Sequence, residues 1–236
     1  MRGLSLAALD LLYPALCPAC GVALAADRRD PLCGACWTAL DRIVPPLCDR
    51  CGTPGAAGGP AFTCQACIDA PPPWDRARAA AVYRGPLREA LHALKFEGRR
   101  SVAAPLGGLL AEAWPALALD AADALVPVPL APDRQRERGF NQATLLAERL
   151  AARVGVPLRP RWLRRVRETA PQSELDAAAR RANVRGAFRA TAAVGGRAVV
   201  VVDDVFTTGT TLGECARALR AAGARWVGVL AVARVR

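Results

Sequence analysis

Between Val199 and Thr211 the chain reads VVVVDDVFTTGTT. Four consecutive β-branched apolar residues suit a buried strand. Asp203 and Asp204 then place two carboxylates where that strand is expected to end. Thr207, Thr208, Gly209, Thr210 and Thr211 form a short loop rich in hydroxyls and glycine, and a helical pattern opens at Leu212. In open α/β sheets, ligands bind beyond the carboxyl ends of the strands, often against a helix N-terminus. Free backbone N–H groups in such a loop suit a phosphate, and threonine hydroxyls add donors. The paired carboxylates need another partner, either neighbouring sugar hydroxyls or a metal. A phosphate cradle beside a diol grip describes a site for a ribose 5-phosphate. An ordinary strand–helix turn needs one acidic cap, not an adjacent acid pair followed by TTGTT.

Cysteine carries the second chemistry. Eight of the nine cysteines fall into CxxC pairs: Cys17/Cys20, Cys33/Cys36, Cys48/Cys51 and Cys64/Cys67. The last four repeat the first four 31 positions later, with every spacing kept. Each half reads CxxC-x12-CxxC, close to the spacing of structural four-cysteine zinc sites. The repeat predicts consecutive pairing, with Cys17, Cys20, Cys33 and Cys36 on one zinc and Cys48, Cys51, Cys64 and Cys67 on a second. Interleaved pairing stays open but leaves the equal spacing unexplained. Disulfides need an oxidising compartment, and no export signal is visible. An iron–sulfur cluster is the remaining alternative. Few large apolar side chains lie in this region, so a metal staple is expected to fold it. A closed shell of four thiolates leaves no open position for catalysis. Cys215 falls on the helix after the Thr/Gly loop and reads as a core residue.

Positioning these groups needs a sheet and its crossover helices. The patterns predict strands at Arg78 to Tyr83, Ala124 to Val128, Arg197 to Val202 and Trp226 to Ala233. Helices are predicted from Pro86 through LREALHALKFEG, and at Ala104 to Leu117, Asn141 to Val154, Asp176 to Asn183 and Leu212 to Ala222. This alternation implies a parallel α/β sheet. No GxGxxG follows a strand and no GxxxxGK[ST] is present, so dinucleotide and P-loop readings are weak. Ala70-Pro71-Pro72-Pro73 reads as a stiff linker and places a boundary between residues 1–70 and 71–236. In VPVPLAPDRQRERGFNQ, Val126 to Gln142, a strand end is followed by Arg134, Arg136 and Arg138. Guanidiniums there can bind phosphate bidentately, and Gly139 with a long polar loop suits a movable lid. His92 reads as an ordinary helix residue. Lys95 is the only lysine among 32 basic residues, a hint that its position wants a compact ammonium.

Bulk composition narrows the class. The 236 residues carry a formal charge of +11 and are 53% apolar, enough for a real core. The charge is uneven: residues 1–73 hold five arginines against six aspartates, whereas residues 131–189 hold 14 arginines against six acids. Such a basic block favours polyanions, whether pyrophosphate, a nucleotide or nucleic acid. The longest apolar stretch, Val102 to Leu119, is broken by Pro105, Glu112 and Pro115, so no membrane insertion is expected. The N-terminal MRGLSLAALDLLYPALC is interrupted by Asp10, lacks a cleavage site and reads as a short amphipathic helix. A cytoplasmic protein is expected.

The stretch Val199 to Thr211 resembles the 5-phosphoribosyl-1-pyrophosphate (PRPP) loop of type I phosphoribosyltransferases. With the paired CxxC region, YRGPLREALHALKFEG, VPVPLAPDRQRERGFNQ, TAPQSEL with RRANVRGAF, and VVVDDVFTTGTTL, nearly the whole chain resembles the ComF family. The resemblance implies a double zinc ribbon ahead of a type I phosphoribosyltransferase-like parallel sheet with flanking helices. It implies that Asp203 and Asp204 hold the ribose hydroxyls and that Thr207 to Thr211 hold the 5′-phosphate. Val128 would lie near the pyrophosphate, with Arg134, Arg136 or Arg138 as counter-charges and Lys95 beside them. Mg²⁺ would accompany PRPP, and two zinc ions would be structural. The implied reaction displaces pyrophosphate at the anomeric carbon through an oxocarbenium-like state, with an acceptor that is not readable. Family members are linked to DNA uptake in competence, so single-stranded DNA and DNA-uptake proteins are implied partners. The alternative reading is a non-catalytic accessory factor that binds single-stranded DNA through a PRPP-like site. One departure narrows the chemistry: enzymes acting on 6-oxopurines place an Asp three residues after the second acid, where this chain has Thr207. A hydroxyl is a poor general base at neutral pH.

Overall fold

Val199 and Val201 point to one side of their strand and Val200 and Val202 to the other, and both sides are fully buried. A strand buried on both faces belongs inside a parallel sheet. The computed structural model of the protein describes residues 15–24, 31–167 and 184–235. In chain order its elements are α1 (Gly34–Thr38), α2 (Gln65–Asp69), β1 (Arg76–Val82), α3 (Gly85–Phe96), α4 (Ala103–Ala113), β2 (Ala124–Pro127), α5 (Pro132–Arg138), α6 (Gln142–Val154), β3 (Leu163–Arg165), β4 (Phe188–Ala190), β5 (Ala198–Phe206), α7 (Thr210–Ala221) and β6 (Trp226–Arg234), with short 3-10 turns between. The main sheet runs β1-β6-β5-β2, all parallel. Helices α3, α4 and α6 cover the face that carries Val200, Val202 and Leu230. Helix α7 and the antiparallel pair β3–β4 cover the face that carries Val199, Val201 and Val229. The β3–β4 pair was not expected from the sequence, where three-residue strands carry no readable period. The predicted helix at Asp176 to Asn183, most of the TAPQSEL and RRANVRGAF segment, and the N-terminal amphipathic helix lie outside the described residues.

Two expectations need correcting. Strand β5 does not stop at Val202 but continues to Phe206, because β6 is long enough to pair with it through Asp203↔Ala231, Val205↔Ala233 and Phe206↔Arg234. On its other edge β5 loses its partner early: β2 pairs only with Val199 to Val202. The two acids therefore sit within a strand, beside a notch left by the shorter neighbour. The expected loop around the three arginines is instead the short helix α5. Pro132 occupies its first turn, where a missing N–H costs nothing, and Gly139 closes it at φ 74°.

The cysteine-rich segment packs on the sheet. Ile43 donates to the Ala80 carbonyl at 2.9 Å, Val82 to that of Asp41 at 2.8 Å, and Ala77 to that of Arg50 at 2.7 Å. These bonds cover the outer edge of β1, which would otherwise offer unpaired N–H and C=O groups to another chain. Arg78, 5% exposed, donates to the carbonyls of Cys48 and Ala116 at 3.1 and 2.8 Å. No helix among the described residues is long and apolar enough to cross a membrane.

Candidate functional site

The notch past the end of β2 opens into a cavity of about 270 Å³, lined by Lys95, Val128, Gln142, Arg165, Asp203, Asp204, Thr207 and the start of α7. Strand alternation turns Asp204 to the α3–α6 face. There it forms an ion pair with Lys95 and accepts a hydrogen bond from Gln142 Nε2 at 3.3 Å. Asp203 accepts the Asp204 backbone N–H at 2.9 Å. Burial, and then the negative charge of Asp204, push the Asp203 carboxyl well above the usual carboxylate range. Burial pushes Asp204 the same way, but the Lys95 ammonium overrides it and holds Asp204 below its usual value. Burial likewise opposes the charge on Lys95, and Asp204 outweighs it, so the ammonium is held above its ordinary range. Burial and mutual repulsion thus push the two carboxyls apart in acidity, with Asp204 the more readily ionised of the pair.

Helix α6 supplies the alignment. Asn141 caps it by accepting the Ala143 N–H at 2.9 Å and donates through Nδ2 to the Val128 carbonyl at 2.9 Å. This locks the end of β2 to the start of α6 and aims the next residue, Gln142, at Asp204. Gln142 Oε1 accepts from Arg138 Nη1 at 2.6 Å, giving a line of polar contacts from Arg138 through Gln142 to Asp204 and Lys95. Arg138 is the one arginine of α5 in this line, and it also lies over the Phe96 ring at 5.4 Å. Arg134 and Arg136 pair with Glu137 and Asp133 on the helix itself and do not line the cavity. Their i,i+3 partners hold them along a solvated helix face.

The Thr/Gly loop closes the other side. Gly209 sits at φ 75°, a left-handed conformation suited to glycine, and serves as the N-cap of α7 without a side chain. Thr207, Gly209, Thr210 and Thr211 line the cavity. Thr208 is exposed, and its hydroxyl pairs with that of Thr210 at 2.7 Å, outside the cavity lining. The first-turn N–H groups of a helix lack intrahelical partners, and the first turn of α7 lines the cavity beside the acids. Gln142 and Arg165 were missed in the sequence. Gln142 was legible as the residue after an Asn cap, but Arg165 reaches the cavity only through the β3–β4 pair.

The two cysteine groups assemble as consecutive sets: Cys17, Cys20, Cys33, Cys36 and Cys48, Cys51, Cys64, Cys67, each with all sulfurs within 4.8 Å of one another. Cys20–Cys33 and Cys51–Cys64 sulfurs lie 3.6 Å apart. A tetrahedron with metal–sulfur bonds near 2.3 Å requires edges of about 3.8 Å, so both sets fit zinc. Against burial, backbone N–H groups, Cys33 the foremost, hold the Cys17 thiol down at about 6, and those of Cys51 and Cys64 do the same for Cys48. Burial and the neighbouring thiols push Cys36 and Cys67 far up. Without a cation only part of each tetrad ionises, and a divalent metal supplies the missing charge.

A double zinc ribbon domain model matches residues 8–68 and a phosphoribosyl transferase domain model matches residues 139–236. The chain is 40% identical over 179 residues to the DNA utilization protein YhgH of Salmonella typhimurium, covering 74% of this chain and 79% of that protein. It is 34% identical over 178 residues to competence protein F of Haemophilus influenzae, covering 72% and 78%. Among solved structures, the glutamine PRPP amidotransferase of B. subtilis superposes with a TM-score of 0.41 at 26% identity, over 60% of this chain and 30% of that one. By descent from the same stock as YhgH and competence protein F, this chain belongs to the ComF family, which joins a double zinc ribbon to a phosphoribosyltransferase-type sheet.

Proposed function

We propose that the protein binds PRPP with Mg²⁺ in the cavity at the end of β5 and recognises or transfers its ribose 5-phosphate group, in the service of DNA uptake or use. The observation that carries this reading is the convergence of an acid pair and a Thr/Gly helix-start loop on one cavity. The loop and the α7 N-terminus suit the 5′-phosphate, and Asp203 and Asp204 suit the ribose hydroxyls. Lys95, Arg138 and Arg165 bring positive charge near the end of β2, where a pyrophosphate would need it. Bound Mg²⁺ would offset pyrophosphate charge as a hard cation with oxygen ligands. The residues themselves would act by preorganised electrostatics, since a departing pyrophosphate needs fixed cations and donors more than it needs a base. Thr207 at the cavity wall argues against 6-oxopurine acceptors, which need a carboxylate there.

Calorimetry with PRPP and Mg²⁺ on the wild type and on Asp203→Asn/Asp204→Asn tests the reading. Binding to the wild type and its loss in the double variant are expected; no binding, or equal binding to both, overturns it. Turnover would register as pyrophosphate release in the presence of an acceptor.

A second reading draws on the names of the relatives and on the basic block: the site holds the phosphate backbone of single-stranded DNA without catalysis. Titration with an oligonucleotide at two salt concentrations separates it, because phosphate contacts must weaken steeply with salt.

A further inference from the structure

The phosphate loop rests on two aromatic rings. Trp74 and Phe206 meet edge to face with centroids 5.6 Å apart, and both are almost fully buried. A Cβ on Gly209 would come within 2.5 Å of the Phe206 ring and 2.9 Å of the Trp74 ring, so the loop backbone lies directly on them. The position of this support therefore decides where the loop N–H groups point.

Both rings are tethered to the second cysteine tetrad. Trp74 Nε1 donates to the carbonyl of Arg50 at 3.2 Å, and Arg50 lies inside the Cys48–Cys51 turn. The Arg50 guanidinium returns to the carbonyls of Pro72 and Trp74 at 3.3 and 3.1 Å. Phe206 is covered by the Arg234 guanidinium, 4.3 Å from the ring centre. Arg234 donates to the Cys51 carbonyl at 2.6 Å and to Thr53 Oγ1 at 3.0 Å. Two independent tethers thus run from one CxxC turn to the two rings beneath Gly209. Strand β1 holds one side of that turn, through the Ala77 N–H on the Arg50 carbonyl at 2.7 Å and Arg78 on the Cys48 carbonyl at 3.1 Å, and the other side rests on a small buried cluster of Cys48, Cys51 and Cys67 with Phe62 and Cys64 against them. A metal on the four sulfurs would tie this turn to the Cys64–Cys67 turn and so stiffen the carbonyls of residues 50 and 51 from the side that the sheet does not hold.

The first tetrad has different neighbours. Cys17, Cys33 and Cys36 join the core beneath α3, α4 and α6, and Arg99 donates to the Leu16 carbonyl at 3.2 Å. Its metal braces the helical layer on the opposite face of the sheet from α7.

We propose that the metal of the Cys48, Cys51, Cys64, Cys67 tetrad is a positioning element for the Thr207–Thr211 loop, acting through the Arg50–Trp74 and Arg234–Phe206 tethers, and that the first tetrad does not share this task. Two tetrads of identical spacing then do different work. By reciprocity, any ligand that orders the loop tightens this metal site by the same factor. The coupling belongs to the loop and its support, whatever phosphate the loop receives, so it is tested without a ligand.

The test uses ¹⁵N-labelled full-length protein loaded with zinc, and reads amide signals of Gly209 and Thr210 and hydrogen exchange of the Gly213 N–H. That N–H bonds the Gly209 carbonyl at 2.7 Å and reports on the loop. Cys64→Ser is expected to lose the second metal, shift the loop signals and speed Gly213 exchange by about tenfold. Cys20→Ser is expected to lose the first metal with Gly213 exchange within about twofold of wild type. Trp74→Phe removes the indole donor together with the ring edge that lies against Gly209. It should retain both metals and still shift the loop signals. Wild-type loop behaviour in Cys64→Ser, or equal disturbance by Cys20→Ser, overturns the proposal. Should Cys64→Ser fail to fold, unchanged loop signals in both Trp74→Phe and Arg234→Gln overturn it.

Discussion

Lys95 and Asp204 form a buried ion pair in the floor of the cavity, and neither residue is neutral toward its partner's removal. Taking away one member strands the other charge in a low-dielectric site, at a cost of about 3–5 kcal/mol. Lys95→Met is therefore expected to lose about that much stability at pH 8 in denaturant titrations. The deficit should shrink toward pH 5. In the wild type the lowered pKa of Asp204 adds stability above the unfolded value, and this is lost as pH falls through the folded value. Without Lys95, burial leaves Asp204 free to take up a proton instead. Asp203 has the opposite sign. Its raised pKa favours the fold at low pH, and that contribution disappears as pH rises through the folded value. Asp203→Asn should raise the melting temperature more at pH 8 than at pH 5. A ligand that needs the ionised pair works against the raised Asp203 pKa. PRPP affinity is thus expected to climb with pH, by at most about tenfold per unit, until the carboxyl is ionised. Calorimetry across pH 5.5 to 8.5 reads the slope, which Asp203→Asn should abolish.

Helix α5 separates three arginines that look equivalent in sequence. In RQRERG the i,i+2 spacing fans the guanidiniums around a seven-residue helix. Arg134 and Arg136 find acids on the same helix, while Arg138, next to the Gly139 turn, reaches Gln142 beside Asp204. Arg138→Gln is expected to weaken PRPP binding by about tenfold, the range of a lost charge-assisted hydrogen bond. Arg134→Gln and Arg136→Gln should stay within about twofold, since exposed pairs contribute little. Titration of the three variants at fixed salt decides this. The helix was legible after all: Pro132 and Gly139 bracket it, but the run of charges between them imitates a solvated loop. The extension of β5 past Val202 was not legible, because it depends on the length of β6 alongside.

Across the whole molecule, the cysteine-rich segment and the sheet share their surfaces. Residues 41–43 and 50 satisfy the free edge of β1, and Leu32 and Leu40 join the core under the helices. A fragment spanning 71–236 would expose that edge and those apolar contacts. It is expected to associate at concentrations where the full chain stays dispersed, as light scattering would read. Equal dispersion of fragment and full chain would show that β1 needs no cover.

The identity of the tetrads and the strand–acid–Thr/Gly order that lines the cavity were already present in the sequence, because both rest on residues close together in the chain. CxxC spacing and a strand–acid–Thr/Gly order are local, and local order survives without the fold. The tertiary structure alone decided which acid meets the lysine, since Lys95 and Gln142 come from helices far from Asp204 in sequence. It also decided that one arginine of three reaches Gln142 beside Asp204, and that the second tetrad is tied to the two rings against Gly209. Burial and long-range pairing set these relations, and neither has a signature in the spacing of neighbouring residues.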